Sequence, residues 1–291
     1  MARPAHTRAV GQMVAAALLW SLGGLLIKSV AWSGLAVAGG RGLIAAIFLV
    51  LAHRGLRFHF SRDQVLAAIG YAACTVLFCA ANKHTSAANA ILLQYTAPVW
   101  VALAGAWFLG EKADRHDWLA IGVVLAGLVL FFADSLDLSH AYGNVLGLLS
   151  GFAFAGMTIA MRRQKDGSPV ESIILGNLIA FAVGLPAIIT APALSARGWL
   201  ALLVLGAVQL GVAYTLYARA IKEVTALEAV LLPVIEPILN PLWVLLALGE
   251  KPAPLSLAGG VLVLAAVTLR AVRSIRQGGR ITPAVAEVST G

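Results

Sequence analysis

The sequence predicts an all-α polytopic membrane protein, ten transmembrane helices arranged as two inverted five-helix repeats, and three observations predict it. The first is composition: 60% of the 291 residues are hydrophobic and only 12% are charged, against roughly 25% charge in an ordinary soluble domain. The second is ten apolar blocks, each bounded by charge, Gly or Pro. A bilayer core of about 30 Å takes roughly 20 apolar residues per helical span, so these blocks leave no length for a sizeable soluble domain. The third is an internal repeat whose copies enter the membrane in opposite senses.

The blocks lie at about 10–30, 35–53, 64–81, 86–109, 117–133, 143–161, 171–190, 198–218, 226–248 and 255–271. Arg3, His6 and Arg8 before the first imitate the flank of a secretory signal. Its length and its direct passage into the second block favour a retained signal-anchor span. In the second, Arg41 lies a turn or two inside the outer end, and its long stem is expected to snorkel toward the headgroups, with ligand binding as the alternative. Cys74 and Cys79 of the third are five residues apart, about 140° on a helix, and read as packing residues. Asn82, Lys83 and His84 follow as an outer loop. The fourth and ninth blocks contain proline, tolerated in a span where a neighbouring helix or a cavity satisfies the freed carbonyl. Pro98, Pro233 and Pro237 are therefore candidate hinges of site-lining helices. In the sixth, Gly143, Gly147 and Gly151 form a stripe that lets helices approach closely. Residues 276–291 are polar and small and are expected to form a disordered tail.

Charge sets the orientation. The net charge of +8 is carried between apolar blocks rather than on a solvated face, which argues against nucleic acid as a partner. With the N-terminus inside, sixteen of the twenty-one Lys and Arg residues fall in cytoplasmic segments, as the positive-inside rule requires. Both termini are then cytoplasmic.

The repeat is explicit. Leu92-Leu93-Gln94-Tyr95-Thr96-Ala97-Pro98, closing on Leu109-Gly110-Glu111-Lys112, aligns at an offset of 139 with Leu231-Leu232-Pro233-Val234-Ile235-Glu236-Pro237, closing on Leu248-Gly249-Glu250-Lys251. Gly11 and Gly24 match Gly143 and Gly156 at an offset of 132, with Trp20 opposite Phe152. This divides the chain into halves at 1–137 and 138–275. An odd number of spans per half inverts the second copy, the usual construction of secondary transporters.

A carrier needs polar groups at membrane depth, where each is costly unless paired or hydrated. Glu236 sits between Pro233 and Pro237, and Pro233, Glu236 and Asn240 share a narrow arc of a helical wheel. The carboxylate is a candidate for substrate binding or ion coupling, balanced against a plain interhelical hydrogen-bond role. Gln209, Tyr214 and Tyr217 fall on one side of the eighth helix. Asn89, Thr96 and Trp100 share a face of the fourth with Gln94 at its edge, and Gln12 shares a side of the first with Trp20. Such a mixture of amides and aromatic rings suits an organic molecule with an apolar part and hydrogen-bonding ends. Interfacial anchoring and interhelical bonding explain any one of these residues equally well. The Gly-Glu-Lys pairs read as structural ends of the repeated helices, with Gly as helix stop.

The chain has no His-Glu-x-x-His, no Walker-type phosphate loop and no Gly-x-Ser-x-Gly elbow, so neither an enzyme, a metal site nor a cofactor is expected. Broken helices with scattered polar groups suit a binding pocket better than a continuous pore.

With its two five-span halves and their paired Leu-Gly-Glu-Lys ends, the chain resembles the drug/metabolite transporter superfamily, EamA type, over about residues 10–272. Within it, the chain looks like the YddG-like bacterial amino-acid exporters. The resemblance implies a basket of helices around a central cavity. Carried onto this sequence, the cavity is lined by Trp20, Gln94, Gln209, Tyr214, Tyr217 and Glu236. The activity implied is export of aromatic or neutral amino acids or related metabolites across the bacterial inner membrane by alternating access. A multidrug or other metabolite carrier is the first alternative, and a membrane scaffold is the alternative of another class. A small molecule and the lipid bilayer are the partners expected. A monomer is favoured, with oligomeric state open.

Overall fold

A computed structural model describes residues 4–133, 139–164, 167–239 and 254–277. The described residues form helices and connecting turns: α1 (Pro4–Trp20), α2 (Gly23–Ser29), α3 (Gly34–Ala52), α4 (Arg62–His84), α5 (Ala87–Gln94), α6 (Ala97–Phe108) and α7 (Arg115–Phe131) in the first half. The second half gives α8 (Ala141–Arg163), α9 (Pro169–Ile189), α10 (Ala196–Leu203), a π-helical stretch Val204–Val212, α11 (Ala213–Ala220) and α12 (Ala226–Leu231). A 3₁₀ turn Leu232–Val234, a helical segment 235–239 and α13 (Pro254–Gln277) complete it. Eight of the helical stretches in the described residues are long and apolar enough to cross a membrane. The fifth block gives a 17-residue helix, α7, and the ninth runs beyond the described residues after position 239. Asn240 and the second Gly-Glu-Lys also lie outside the described residues.

Local sequence explains the ends. Ser33, Ser61, Ser86 and Ser195 each accept a backbone N–H from the first turn of the helix they precede, satisfying donors that have no intrahelical partner. Gly110, at φ +69°, follows the C-terminus of α6. It takes the left-handed conformation that glycine adopts without a Cβ clash, as the motif suggested.

Large apolar side chains point outward along the spans, with Leu51 80% exposed and Trp107 85% exposed. That pattern is costly in water and natural in lipid. Inside, α4 packs most extensively on α8, α3 on α9, α7 on α13 and α1 on α11. Glycine permits the α3–α9 crossing: a Cβ on Gly184 would stand 2.4 Å from the Leu35 carbonyl oxygen and 2.8 Å from the Gly39 Cα. The Gly143-Gly147-Gly151 stripe does what its spacing predicts, seating α8 against the end of α4 and against α5.

Gly184→Leu is therefore expected to lose about 1–3 kcal/mol or more through overpacking against backbone. Gly156→Ala, at a position with open space beside it, is expected to be neutral or slightly stabilising. Thermal unfolding of the two variants in one detergent checks the pair.

Three sequence expectations change. Asn82, Lys83 and His84 are the last turn of α4 rather than a loop. Asn82 donates to the Phe78 carbonyl and Lys83 to the Val30 carbonyl, so helical bonding and capping extend the span. Helix α13 continues through Gln277, two residues into the segment expected as a tail; residues 278–291 lie outside the described residues. The largest change concerns Arg41, which is 1% exposed and turned inward.

Candidate functional site

Chain breaks build the site. The fourth span is interrupted at Tyr95 and Thr96, between α5 and α6, with Pro98 in the first turn of α6. The ninth narrows to a 3₁₀ turn containing Pro233 before the helical segment with Glu236 and Pro237. The first span also breaks, at Ser21 and Leu22 between α1 and α2, where Gly23-Gly24 was the only signal. The eighth span carries Gln209 on its π-helical stretch, a widening often found at functional sites. Each interruption turns side chains or backbone groups toward the interior.

A cavity opens among these elements, lined by Trp20, Arg41, Cys74, Thr75, Phe78, Gln94, Phe154, Gln209, Leu210, Tyr214 and Glu236. Five of the residues singled out in sequence, Trp20, Gln94, Gln209, Tyr214 and Glu236, meet on its wall. Tyr217 stands one layer behind, its ring centroid 5.5 Å from that of Trp20 and 5.7 Å from that of Tyr214; its hydroxyl lies 3.0 Å from that of Thr158. Trp20 and Tyr214 are in contact at 4.8 Å, and Tyr71 meets Tyr214 edge-on at 4.7 Å. The rings form an aromatic floor whose packing fixes their orientation.

The polar wall is equally specific. Gln94 donates to Ser150 Oγ at 2.8 Å, and Ser150 donates to the Cys74 carbonyl at 3.1 Å. Tyr95, absent from the sequence selection apart from its place in the motif, is the partner of Glu236. Its hydroxyl lies 2.7 Å from Glu236 Oε2 and 2.7 Å from the Pro233 carbonyl oxygen. The Pro233 carbonyl is the acceptor that Pro237, lacking an N–H, leaves without its regular helical donor. A tyrosine of the first half thus bonds the broken helix of the second.

Arg41 is the residue that sequence reasoning misplaced. Its guanidinium donates to Gln209 Oε1 at 3.3 Å and to the Thr75 carbonyl at 3.4 Å. The flanking glycines explain the inward turn: Gly39 and Gly42 abut α9, and Gly40 abuts Trp32, so this stretch of α3 faces protein rather than lipid. Asn89, Thr96 and Trp100 do not join the cavity. Asn89 donates to Asn144 and Trp100 to Thr96. Phe152, the repeat partner of Trp20, is 61% exposed, and Phe154 meets Trp20 instead, edge-on at 6.4 Å.

The cavity volume is about 40 Å³. That is room for a few waters, far below the roughly 300–1,000 Å³ of a site holding an organic ligand. Admission of such a molecule requires the surrounding helices to move apart.

Comparison with known proteins agrees with this architecture. The EamA-like transporter family matches residues 7–133 and 141–271, one match per half of the chain. The pseudopaline exporter CntI of Pseudomonas aeruginosa is 30% identical over 227 residues, covering 76% of this chain and 79% of that protein. An uncharacterised transporter of Archaeoglobus fulgidus is 28% identical over 194 residues, 66% of this chain and 70% of the other. The uncharacterised transporter YwfM of Bacillus subtilis is 29% identical over 211 residues, 68% and 69% respectively. A solved crystal structure superposes with a TM-score of 0.76 at 20% identity, over 90% of this chain and 97% of the other; at that identity it shows the fold alone.

Proposed function

Because the chain belongs to the EamA-like transporter family, within the drug/metabolite transporter superfamily, we propose that it is a secondary carrier working by alternating access. The molecules it exports are aromatic or neutral amino acids or related metabolites. The observation that carries this reading is the cavity of aromatic floor and polar wall. It is too small for cargo in this conformation, and it is bounded by helices broken at Ser21, Tyr95 and Pro233. Broken helices around a midplane site are the recurrent design of secondary transporters. The relative named as a pseudopaline exporter favours the small-metabolite range over multidrug transport.

Ten spans in two inverted halves remain the arrangement that best accounts for the packing. If each span is exchanged for its counterpart five blocks later, the α3–α9 and α7–α13 pairs map onto themselves, and α4–α8 exchanges with α1–α11. A two-fold relation requires that. The distribution of Lys and Arg supports both termini on the cytoplasmic side, and the bacterial relatives support a bacterial inner membrane. Pro98, Pro233 and Pro237 serve as hinges in this scheme, and Trp20, Gln94, Gln209, Tyr214 and Glu236 contact the cargo. Tyr217 supports the ring stack from behind.

Purified protein in liposomes, offered labelled amino acids beside protein-free vesicles, tests the proposal. Saturable uptake of some members of the panel is expected, well above that of empty vesicles. Flux no greater than in empty vesicles, from protein shown to be folded, would sink it.

A further inference from the structure

Among the described residues, Arg41 carries a buried positive charge that no salt bridge meets, Glu236 acting on it only across the cavity. The side chain is 1% exposed, yet its described partners are neutral: Gln209 Oε1, the Thr75 carbonyl and the Cys79 thiol. The two oxygen contacts, at 3.3 and 3.4 Å, are long for bonds from a charged donor, which usually fall near 2.7–2.9 Å. Among the described residues, Arg41 Nε has no acceptor, and neither does the buried Nε1 of Trp20. Both residues line the same cavity. A buried cation costs several kcal/mol unless an anion compensates it, and a buried N–H without an acceptor costs about 1–3 kcal/mol. Two donors without acceptors and a guanidinium without a salt bridge, among the described residues around one cavity, describe a place for an acceptor-rich, negatively charged group.

Resting on the carrier reading above, we propose that Arg41 is the anchor for a carboxylate of the transported molecule, with the Trp20 indole N–H as a second donor to it. A guanidinium presents parallel N–H groups that match the two oxygens of a carboxylate. Gln209, which already accepts from Arg41, holds the fork in place. The Gln209 amide is itself seated against Gly23, where a Cβ would lie 2.9 Å from Nε2. Glu236 on the same wall disfavours a doubly charged phosphate through like-charge repulsion and suits an ammonium group, and the Trp20–Tyr214 rings suit an apolar side chain. The class is therefore a small monocarboxylate with an apolar body, zwitterions included.

The test uses the liposome preparation with a panel of labelled amino acids, each competed by its own carboxamide and by the amine lacking the carboxyl group. The carboxamides and amines are expected to compete at least tenfold more weakly against the wild-type protein, the range of a charged hydrogen bond. Arg41→Gln should abolish that difference and Arg41→Lys should keep part of it. Parity of acid and amide in the wild type, or a full difference retained by Arg41→Gln, overturns the assignment while leaving the carrier intact. Absence of flux for every compound overturns the carrier reading and this one together. Should Arg41→Gln fail to fold, the wild-type contrast and a narrowed difference in Trp20→Phe decide.

Discussion

Replacing Glu236 by Gln is expected to lower flux about tenfold or more and to flatten its dependence on pH, because the carboxyl group sits in a proton-counted network. A tyrosine hydroxyl has one proton to donate, and Tyr95 lies 2.7 Å from two acceptors, Glu236 Oε2 and the Pro233 carbonyl. When Glu236 carries a proton, it donates to Tyr95, Tyr95 donates to Pro233, and both contacts are satisfied. When Glu236 is ionised, it accepts the tyrosine hydrogen bond and the Pro233 carbonyl loses its donor from the first half. The protonation state of one side chain thus decides whether the fourth span is bonded to the Pro233 carbonyl or to the Glu236 carboxylate of the broken ninth. Among the described residues, Arg41 acts on Glu236 across the cavity, and the ionisable neighbours Cys74 and Tyr214 line the same wall. Gln can donate to Tyr95 as a protonated Glu does but can never release that proton, so the variant is held in one arrangement. The size of the loss follows from a charged hydrogen bond, about 1.5–3 kcal/mol or some 10- to 150-fold. Flux measured against pH in both proteins checks it. Wild-type flux with a wild-type pH profile in Glu236→Gln would reduce the carboxylate to a structural bond.

Much of this site was legible before any coordinates, and the reasons are physical. Glu236, Gln94, Gln209, Trp20 and Tyr214 stand out because polar groups in an apolar block call for a polar interior, and the cavity gathers all five on its wall. The glycine stripe of α8 was readable because helical spacing alone puts Gly143, Gly147 and Gly151 on one face. Arg41 was misread because the rule that long cations snorkel considers only the residue's depth. The neighbouring Gly39-Gly40 and Gly42 were the overlooked signal, since a lipid-facing stretch has no need of three missing side chains. The break at Ser21 and the π-helical stretch at Gln209 left little trace, for neither contains proline and both depend on packing between distant helices. Tyr95 was passed over because its importance comes from a carbonyl exposed 138 residues away, which no local pattern reveals.

Arg162→Ala is expected to cost about 3–5 kcal/mol, whereas Arg163→Ala, one residue on, should cost less than about 1 kcal/mol. The two look alike in sequence and differ entirely in surroundings. Arg162 is buried, donates from Nε to Glu111 Oε1 at 2.9 Å and from one terminal nitrogen to the carbonyls of Ile221 and Lys222 at 3.1 and 2.7 Å. The other oxygen of Glu111 accepts the Ala226 N–H at 2.8 Å, capping the start of α12. Removing Arg162 strands a carboxylate and two carbonyls in a place with little water. Arg163 pairs with Asp63 at 2.9 Å, but its side chain is 44% exposed and that of Asp63 is 29% exposed, so solvent screens what is lost. Unfolding of the two variants in the same detergent checks the contrast, and equal destabilisation would refute it. Glu111 belongs to the first matched segment of the chain, Arg162 and Ala226 to the second, so this staple holds the halves together on one face of the membrane. Flux per folded molecule then tells which kind of joint it is. If flux survives in Arg162→Ala protein that is less stable, the staple stays shut through the transport cycle and the helices part elsewhere. If flux falls along with stability, closure of this face is one of the states through which the carrier must pass.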